Sequence, residues 1–325
     1  MKTIITITRE DLGIGAENIK SLLEKFAPLQ GSNEHDYVEV SLNFEKDDTN
    51  ELSIAIVWQL LREYSKLPCG KLLKYQGGTE SFFNERHFFD MLTGTKSSFF
   101  SKNIPIHFQT FAPIRPTKDK PQDSEIEQIV SDATKAILNP SNPLHQEIKV
   151  QIIECISNAF DHSVSEVGKP AGVLCSLKPD GVLDFCVVDM GQGIKNSFLA
   201  NPSIKKQFEN LPDWELAYMA TEKGISCNPQ QLRNPGYLYS NGGIGLYFLR
   251  EFIKNHRDGK MVVISGKGHT YFENGRNSRK TSNLDIKWPG MIVFFRVNIN
   301  QPINPKYQKL AGTLIEEFDK RLIKL

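Results

Sequence analysis

The sequence predicts an α/β protein of two domains, and three features of the 325-residue chain support this prediction. Strand and helix patterns alternate over the first 76 residues, a run of prolines and charges interrupts the chain at 113–123, and several apolar strands follow. Domains are mostly about 100–200 residues long, so the length also favours two of them. A hydrophobic content of 39% is enough for two cores.

The N-terminal domain is predicted at residues 1–112. Its strands are expected at 3–8, 37–44, 71–76 and 104–111, and its helices at 16–26 and 51–65. This alternation favours a small α/β domain over a helical bundle. An aromatic segment at 81–92 is interpreted as core or interdomain packing rather than a partner-binding stripe. The domain is vaguely similar to STAS-like regulatory domains.

The second domain is predicted at residues 124–300, after a linker at 113–123 whose prolines and alternating charges leave little to pack. Its helices are expected at 124–138, 148–162, 213–224 and 241–256, and its strands at 171–177, 181–189, 260–265, 269–273 and 290–297. Residues 301–325 are expected to form a charged C-terminal helix.

Composition narrows the classes of partner. Lys and Arg (39) nearly balance Asp and Glu (38), so the sequence gives no broad basic field for nucleic acid or an anionic membrane. No apolar run approaches the roughly 18 residues of a membrane helix, and the first residues resemble neither a signal peptide nor an anchor. The five cysteines form no CxxC pair, which favours buried thiols over disulfides or a zinc site. We therefore expect a cytoplasmic protein.

The helix predicted at 148–162 has an unusual polar face. At about 100° per residue, four polar side chains fall within roughly one third of its circumference. They are Glu154, Asn158, Asp161 and His162. Isoleucines, Ala159 and Phe160 occupy the opposite side. An apolar face opposite acid, amide and imidazole groups predicts a core helix that presents reactive side chains to a pocket.

Two glycine clusters follow this helix. Asp189-Met-Gly-Gln-Gly193 ends a strand, where a carboxylate can accept from an exocyclic amine and glycines let the backbone approach a planar ring. Asn241-Gly-Gly-Ile-Gly245 opens a helix and offers N–H groups to phosphate oxygens. Taken singly, the first cluster is also compatible with a plain turn and the second with a simple helix cap. The chain lacks the Walker pattern and a dinucleotide-binding GxGxxG after its first strand.

The order of these three motifs, with strands between them, resembles the GHKL ATPases, also called the Bergerat fold. This family includes gyrase B, heat-shock chaperone ATPases, mismatch-repair ATPases, and sensor and anti-sigma-factor kinases. The resemblance covers about residues 124–298, a little over half of the chain. It implies an α+β two-layer sandwich, with helices on one face of a mixed sheet, that binds ATP and Mg²⁺.

The resemblance also implies a role for each matching residue. Asn158 matches the magnesium-binding asparagine, and Glu154 matches the carboxylate that activates water in hydrolases or a protein hydroxyl in serine kinases. Asp189 matches the aspartate that reads adenine. The other cofactor-binding residues are predicted to be Asp161, His162, Gly191, Gly193, Ile194, Asn241, Gly242, Gly243, Gly245 and Leu246. Residues 195–241 would form the ATP lid, from which Lys223 or Arg233 is a candidate contact for the terminal phosphate.

Two positions point to different branches of the family. Asp161 resembles the Asn-x-x-Asp of the hydrolysing chaperone and mismatch-repair ATPases, whereas His162 resembles the Asn-x-x-x-His of the anti-sigma serine kinases and is also compatible with simple packing. The chain departs from the family at Gly290-Met291, because many members place a threonine after the glycine. We expect a Mg-dependent ATPase switch with a protein partner or self-association through the N-terminal domain. The alternatives are a protein serine/threonine kinase and a nucleotide-binding module without turnover.

Overall fold

The structure is a computed structural model, and its description covers residues 2–28, 37–44, 50–65, 70–75, 109–114, 139, 141–142, 144–163, 171–225, 227, 245–273, 279–302 and 307. Several predictions fall outside these residues: the aromatic segment at 81–92, the helix at 124–138, Arg233, residues 241–243, and the C-terminal helix apart from Tyr307.

The described chain alternates strands and helices first and is then dominated by antiparallel strands with helices between them. The strands are β1 (Lys2–Thr8), β2 (Tyr37–Asn43), β3 (Gly70–Tyr75), β4 (Gln109–Ile114), β5 (Ala171–Leu177), β6 (Val182–Asp189), β7 (Lys260–Glu273) and β8 (Arg279–Asn298). The helices are α1 (Ala16–Phe26), α2 (Glu51–Ser65), α3 (His145–Ser163), α4 (Gly193–Leu199), α5 (Pro202–Phe208), α6 (Asp213–Met219) and α7 (Gly245–Lys254). A mixture of helices and sheets, as predicted, is therefore confirmed.

The first three strands form a parallel sheet in the order β1-β2-β3. Parallel neighbours need crossover connections, and α1 and α2 supply them. Both helices match their predicted bounds, because each carries a strong local apolar pattern. Residues 52–59 of α2 are buried throughout. A helix buried on every side must be covered by more than one neighbour.

The second sheet has the order β4-β5-β6-β8-β7, and its described pairings are all antiparallel. The expectation of a mixed sheet is therefore wrong for these strands. A short turn at 178–181 joins β5 to β6, and β8 follows β7 directly along the chain, so both pairs form as hairpins. The first strand of this sheet is β4, so the boundary predicted after residue 112 falls inside a strand.

Helices cover both faces of the five-stranded sheet: the described helices of residues 144–254 pack on one face, and the N-terminal helices pack on the other. On one face, alternate residues of β6 and β8 join a core with α3, α4 and α7. On the other face, Cys186, Val188, Ile292 and Phe294 join a second core with α1 and α2. The resemblance concerned only the second half of the chain and left out these two N-terminal helices. Strands that are apolar on both faces need cover on both sides.

Helix α2 packs closely on strand β5, and a substitution at the contact tests this packing. A side-chain carbon at Gly172 would lie 2.7 Å from the Trp58 ring, and Trp58 is fully buried. We expect Gly172→Ala to lower the free energy of unfolding by about 1–3 kcal/mol in urea titrations, because the added methyl overpacks this core. The same substitution in a Trp58→Phe background should cost less. An equal cost in both backgrounds would contradict the contact.

Three short helices, α4 to α6, lie where the sequence predicted a long polar stretch with one helix. Phe198, Phe208 and Leu216 anchor them in the core, and α6 packs along β7. Residues 195–219 therefore belong to the packed body of the domain, which differs from the predicted lid. Among the helices that the structure describes, none has both the length and the apolar character to cross a membrane.

Candidate functional site

The central element of the candidate site is α3, which confirms the predicted helix and begins at His145. Ile152, Ile156 and Ala159 are fully buried, whereas Glu154 and Asn158 are partly exposed. This arrangement is the predicted core helix with a polar edge. Asp161 and His162 lie in its last turn, but their side chains are outside the described part of the chain.

Glu154 lies against the first residue of α7. A side chain at Gly245 would overlap the Glu154 carboxylate, so the two helices approach each other through this glycine. The N-terminus of a helix carries partial positive charge and favours a nearby carboxylate. Two of the predicted motifs, the polar helix and the second glycine cluster, therefore meet in the folded chain. Asn241, Gly242 and Gly243 lie outside the described residues.

Asp189 is the last residue of β6, and its buried carboxylate accepts hydrogen bonds through one of its two oxygens. Its Oδ1 accepts hydrogen bonds from the N–H of Gly191 at 2.8 Å and of Met291 at 3.3 Å. Its Oδ2 is buried and accepts no hydrogen bond from any residue that the structure describes. Burial raises the pKa of this carboxyl to about 7, and the two N–H groups only partly offset the effect. A buried acceptor without a donor is costly in free energy, and such groups are uncommon in native proteins.

Glycines surround Asp189 where its backbone meets β8. A side chain at Gly290 would overlap the Asp189 carbonyl oxygen, so only glycine fits there. Gly193 has φ of +70°, and a side chain on it would lie 2.9 Å from the Ser265 hydroxyl and 3.1 Å from the Gly290 carbonyl oxygen. The backbone of β8 therefore packs directly on Asp189 at Gly290, and the departure from threonine falls on the next residue, Met291, whose N–H donates to Asp189 Oδ1. Gly191 is likewise buried.

Ser265 also belongs to this region, although no sequence motif includes it. Its buried hydroxyl accepts from the Ile194 N–H at 2.8 Å and donates to the Gly290 carbonyl oxygen at 3.1 Å. These bonds connect residues 71 and 25 positions apart in the chain. The only sequence signal was a polar residue at the end of an apolar strand.

Strand alternation places Asp189 on the same face as α3 and α7. Successive strand side chains point to opposite faces, and Phe185 and Val187 belong to the core that includes these helices. Ile194 and Leu246, predicted from the two glycine clusters, are both in this core as well. The structure therefore brings the described parts of all three motifs to one face of the sheet.

The cations near the predicted lid have different environments. Arg250 is buried, pairs with Glu222 at 2.6 Å and lies over the Tyr218 ring at 5.6 Å. Its hydrogen bond lowers the pKa of Glu222, which is the expected effect of an adjacent cation. Arg250 therefore links α7 to the residues that follow α6, a contact that no sequence pattern predicts. Lys223 is exposed beside this pair.

The described residues contain no cluster of three or more His, Cys, Asp or Glu side chains arranged to hold a metal. Asn158, the predicted magnesium ligand, is partly exposed, and an amide oxygen is the type of hard donor that Mg²⁺ takes.

Comparison with known proteins gives no match for this chain. No protein-family model matches it, and neither a curated protein nor a solved structure does so at a significant level.

Proposed function

We propose that the chain binds ATP at a GHKL-type site and acts as a Mg-dependent ATPase whose nucleotide state switches its conformation. The observation that carries this proposal is the buried Oδ2 of Asp189, which lies beside close-packed glycines without a donor among the described residues. The exocyclic amine of adenine is a donor that fits this oxygen. Gly193 and Gly290 let the start of α4 and the backbone of β8 pack tightly around this carboxylate, which fixes its position.

Helices α3 and α7 form the part of the proposed site that would bind the phosphates. Glu154 and Asn158 lie one helical turn apart on the partly exposed edge of α3, and Gly245 begins α7 against the Glu154 carboxylate. Free N–H groups at a helix start suit phosphate oxygens. When bound, Mg²⁺ would neutralise phosphate charge, and Asn158 would hold it through its amide oxygen.

Glu154 is the proposed general base. A carboxylate on a partly exposed edge can accept a proton from water, and a position one turn from Asn158 keeps it beside the proposed phosphate end. Asp189, by contrast, is fixed through Oδ1. Its proposed role is to orient the adenine ring, and it takes no part in the reaction. The two carboxylates thus have separate roles because their surroundings differ.

The switch proposal rests on how β6 is packed. Its end carries Asp189, while Cys186 and Val188 on the opposite face share a core with α1 and α2. A shift of Asp189 on nucleotide binding would therefore move residues of β6 that pack on the N-terminal helices. We place the protein partner or self-association of the switch on the N-terminal domain for this reason.

Calorimetric titration of Mg-ATP into the protein, with free phosphate measured in parallel, tests the proposal. Binding together with phosphate release supports the ATPase. Label from the terminal phosphate on a co-purified protein would instead identify a kinase, and binding with neither product would identify a module without turnover. The absence of any ATP binding would overturn the proposed site.

We expect ATP affinity to fall as the pH drops below about 7. The pKa of Asp189 in the folded protein is about 7, and only the ionised carboxylate leaves both Oδ2 lone pairs available to an amine. The dissociation constant should rise by up to about tenfold per pH unit between pH 7 and 6 and change little between pH 7.5 and 8.5. Affinity that stays constant from pH 6 to 8 would show that Asp189 does not accept from the base.

A further inference from the structure

We propose that Ser265 is a positioning residue that makes the chain selective for adenine over bases without an exocyclic amine. This inference rests on the ATP site proposed above. Ser265 would not contact the base, because its hydroxyl is already engaged by Ile194 and Gly290. It would act by fixing the direction in which Asp189 presents Oδ2.

The position of Ser265 in the fold suits this role. It lies in β7 immediately before the irregularity at Gly266, and alternation with Met261 and Val263 places its side chain on the α3 face of the sheet. Only 3% of the residue is exposed. Its hydroxyl has one proton to donate and lone pairs to accept with, and both capacities are used across two other elements.

Each bond of Ser265 controls one side of Asp189. The bond from Ile194 holds the first turn of α4, which begins at Gly193, the last residue of the Asp189 to Gly193 motif. The bond to Gly290 holds the residue whose successor, Met291, donates to Asp189 Oδ1. The Ser265 hydroxyl is therefore bonded both to the segment that follows Asp189 along the chain and to the part of β8 that lies beside Asp189. Without it, the start of α4 is no longer linked to Gly290, and Oδ1 keeps its bond from Gly191 while its bond from Met291 is held less firmly.

An alanine at this position would also leave a buried N–H and a buried carbonyl unsatisfied, which costs stability. A general loss of stability alone would weaken every nucleotide equally. A change in selectivity between two nucleotides therefore separates positioning from simple structural support.

The experiment measures the affinity of wild type and Ser265→Ala for ATP and for purine riboside triphosphate, which lacks the amine. Wild type should prefer ATP by about tenfold or more, because an amine bond to a buried carboxylate is strong. Ser265→Ala should reduce this preference to about threefold or less, while its affinity for the nucleotide without the amine changes little. Thr270→Val is the matched control, since Thr270 is a buried hydroxyl of the same strand that bonds to Trp214 instead. It should keep the wild-type preference.

Each outcome has a distinct meaning. A wild-type protein that binds neither nucleotide would overturn the proposed function as well as this inference. A wild-type preference that Ser265→Ala retains in full would overturn the role of Ser265 alone. If circular dichroism shows that Ser265→Ala is unfolded, Ser265→Cys, which keeps the size but forms weaker hydrogen bonds, provides the same comparison.

Discussion

Replacing Asp189 with asparagine should weaken ATP binding by about 100-fold. Two backbone N–H groups hold Oδ1, so the amide of the variant must place its NH₂ group where Oδ2 now lies. A donor would then face the donor amine of adenine, and the strongest base contact would be lost. Calorimetric titration of Mg-ATP into wild type and variant measures the difference.

Asp184→Asn is the matched control for this prediction. Asp184 lies on the same strand, is fully buried and pairs with Arg296 at 2.5 Å. Alternation along β6 places it on the face that packs on α1 and α2, away from Asp189. The control should lose stability but keep its ATP affinity within about twofold. If the two variants bind ATP equally well, Asp189 has no special role in binding.

The stability of Asp189→Asn should also depend on pH in a defined direction. Burial raises the pKa of Asp189 from 3.8 to about 7, so the folded state holds this proton more tightly than the unfolded state. The wild-type free energy of unfolding therefore falls as the pH rises from about 4 to 7, by at most about 4 kcal/mol. The asparagine variant lacks this contribution, so relative to wild type it should gain stability over that range. Urea titrations at pH 4.5 and 8 measure this gain and show that the variant is folded.

The sequence predicted those elements whose pattern is local. Helices α1 and α2 match their predicted bounds, and α3 includes the predicted 148–162, because an amphipathic or strongly apolar period is contained within each segment. Helices α4 and α5 were missed because each has only seven residues and a largely polar surface. Their few buried aromatics are too widely spaced to show a helical period.

The packing of α1 and α2 on the second face of the five-stranded sheet was not predicted, for a different reason. The run Phe185–Val188 is apolar at consecutive positions, which indicates a strand buried on both faces. That signal was present in the sequence, but it does not say which helices provide the cover. The bonds of Ser265 are beyond sequence reasoning altogether, because they depend on the register between β7, β8 and the start of α4.

Replacing Glu154 with glutamine should lower phosphate release by about 10²–10⁴-fold while leaving ATP affinity within about threefold. Glutamine keeps the size of the side chain, so its contact with Gly245 and the approach of α3 to α7 are preserved. The variant loses the capacity to accept a proton from water. Single-turnover phosphate release at saturating Mg-ATP, together with calorimetry, separates the chemical step from binding.

Glu147→Gln is the matched control, because Glu147 lies on the same helix about two turns earlier and is only half-buried. It should leave both binding and phosphate release unchanged. Undiminished turnover in Glu154→Gln would mean that the base lies elsewhere, even if Asp189 reads adenine as proposed. Loss of ATP binding in the same variant would instead show that the carboxylate supports the phosphate end of the site through its contact with α7. The two carboxylates are therefore tested independently: Asp189 through affinity and Glu154 through turnover.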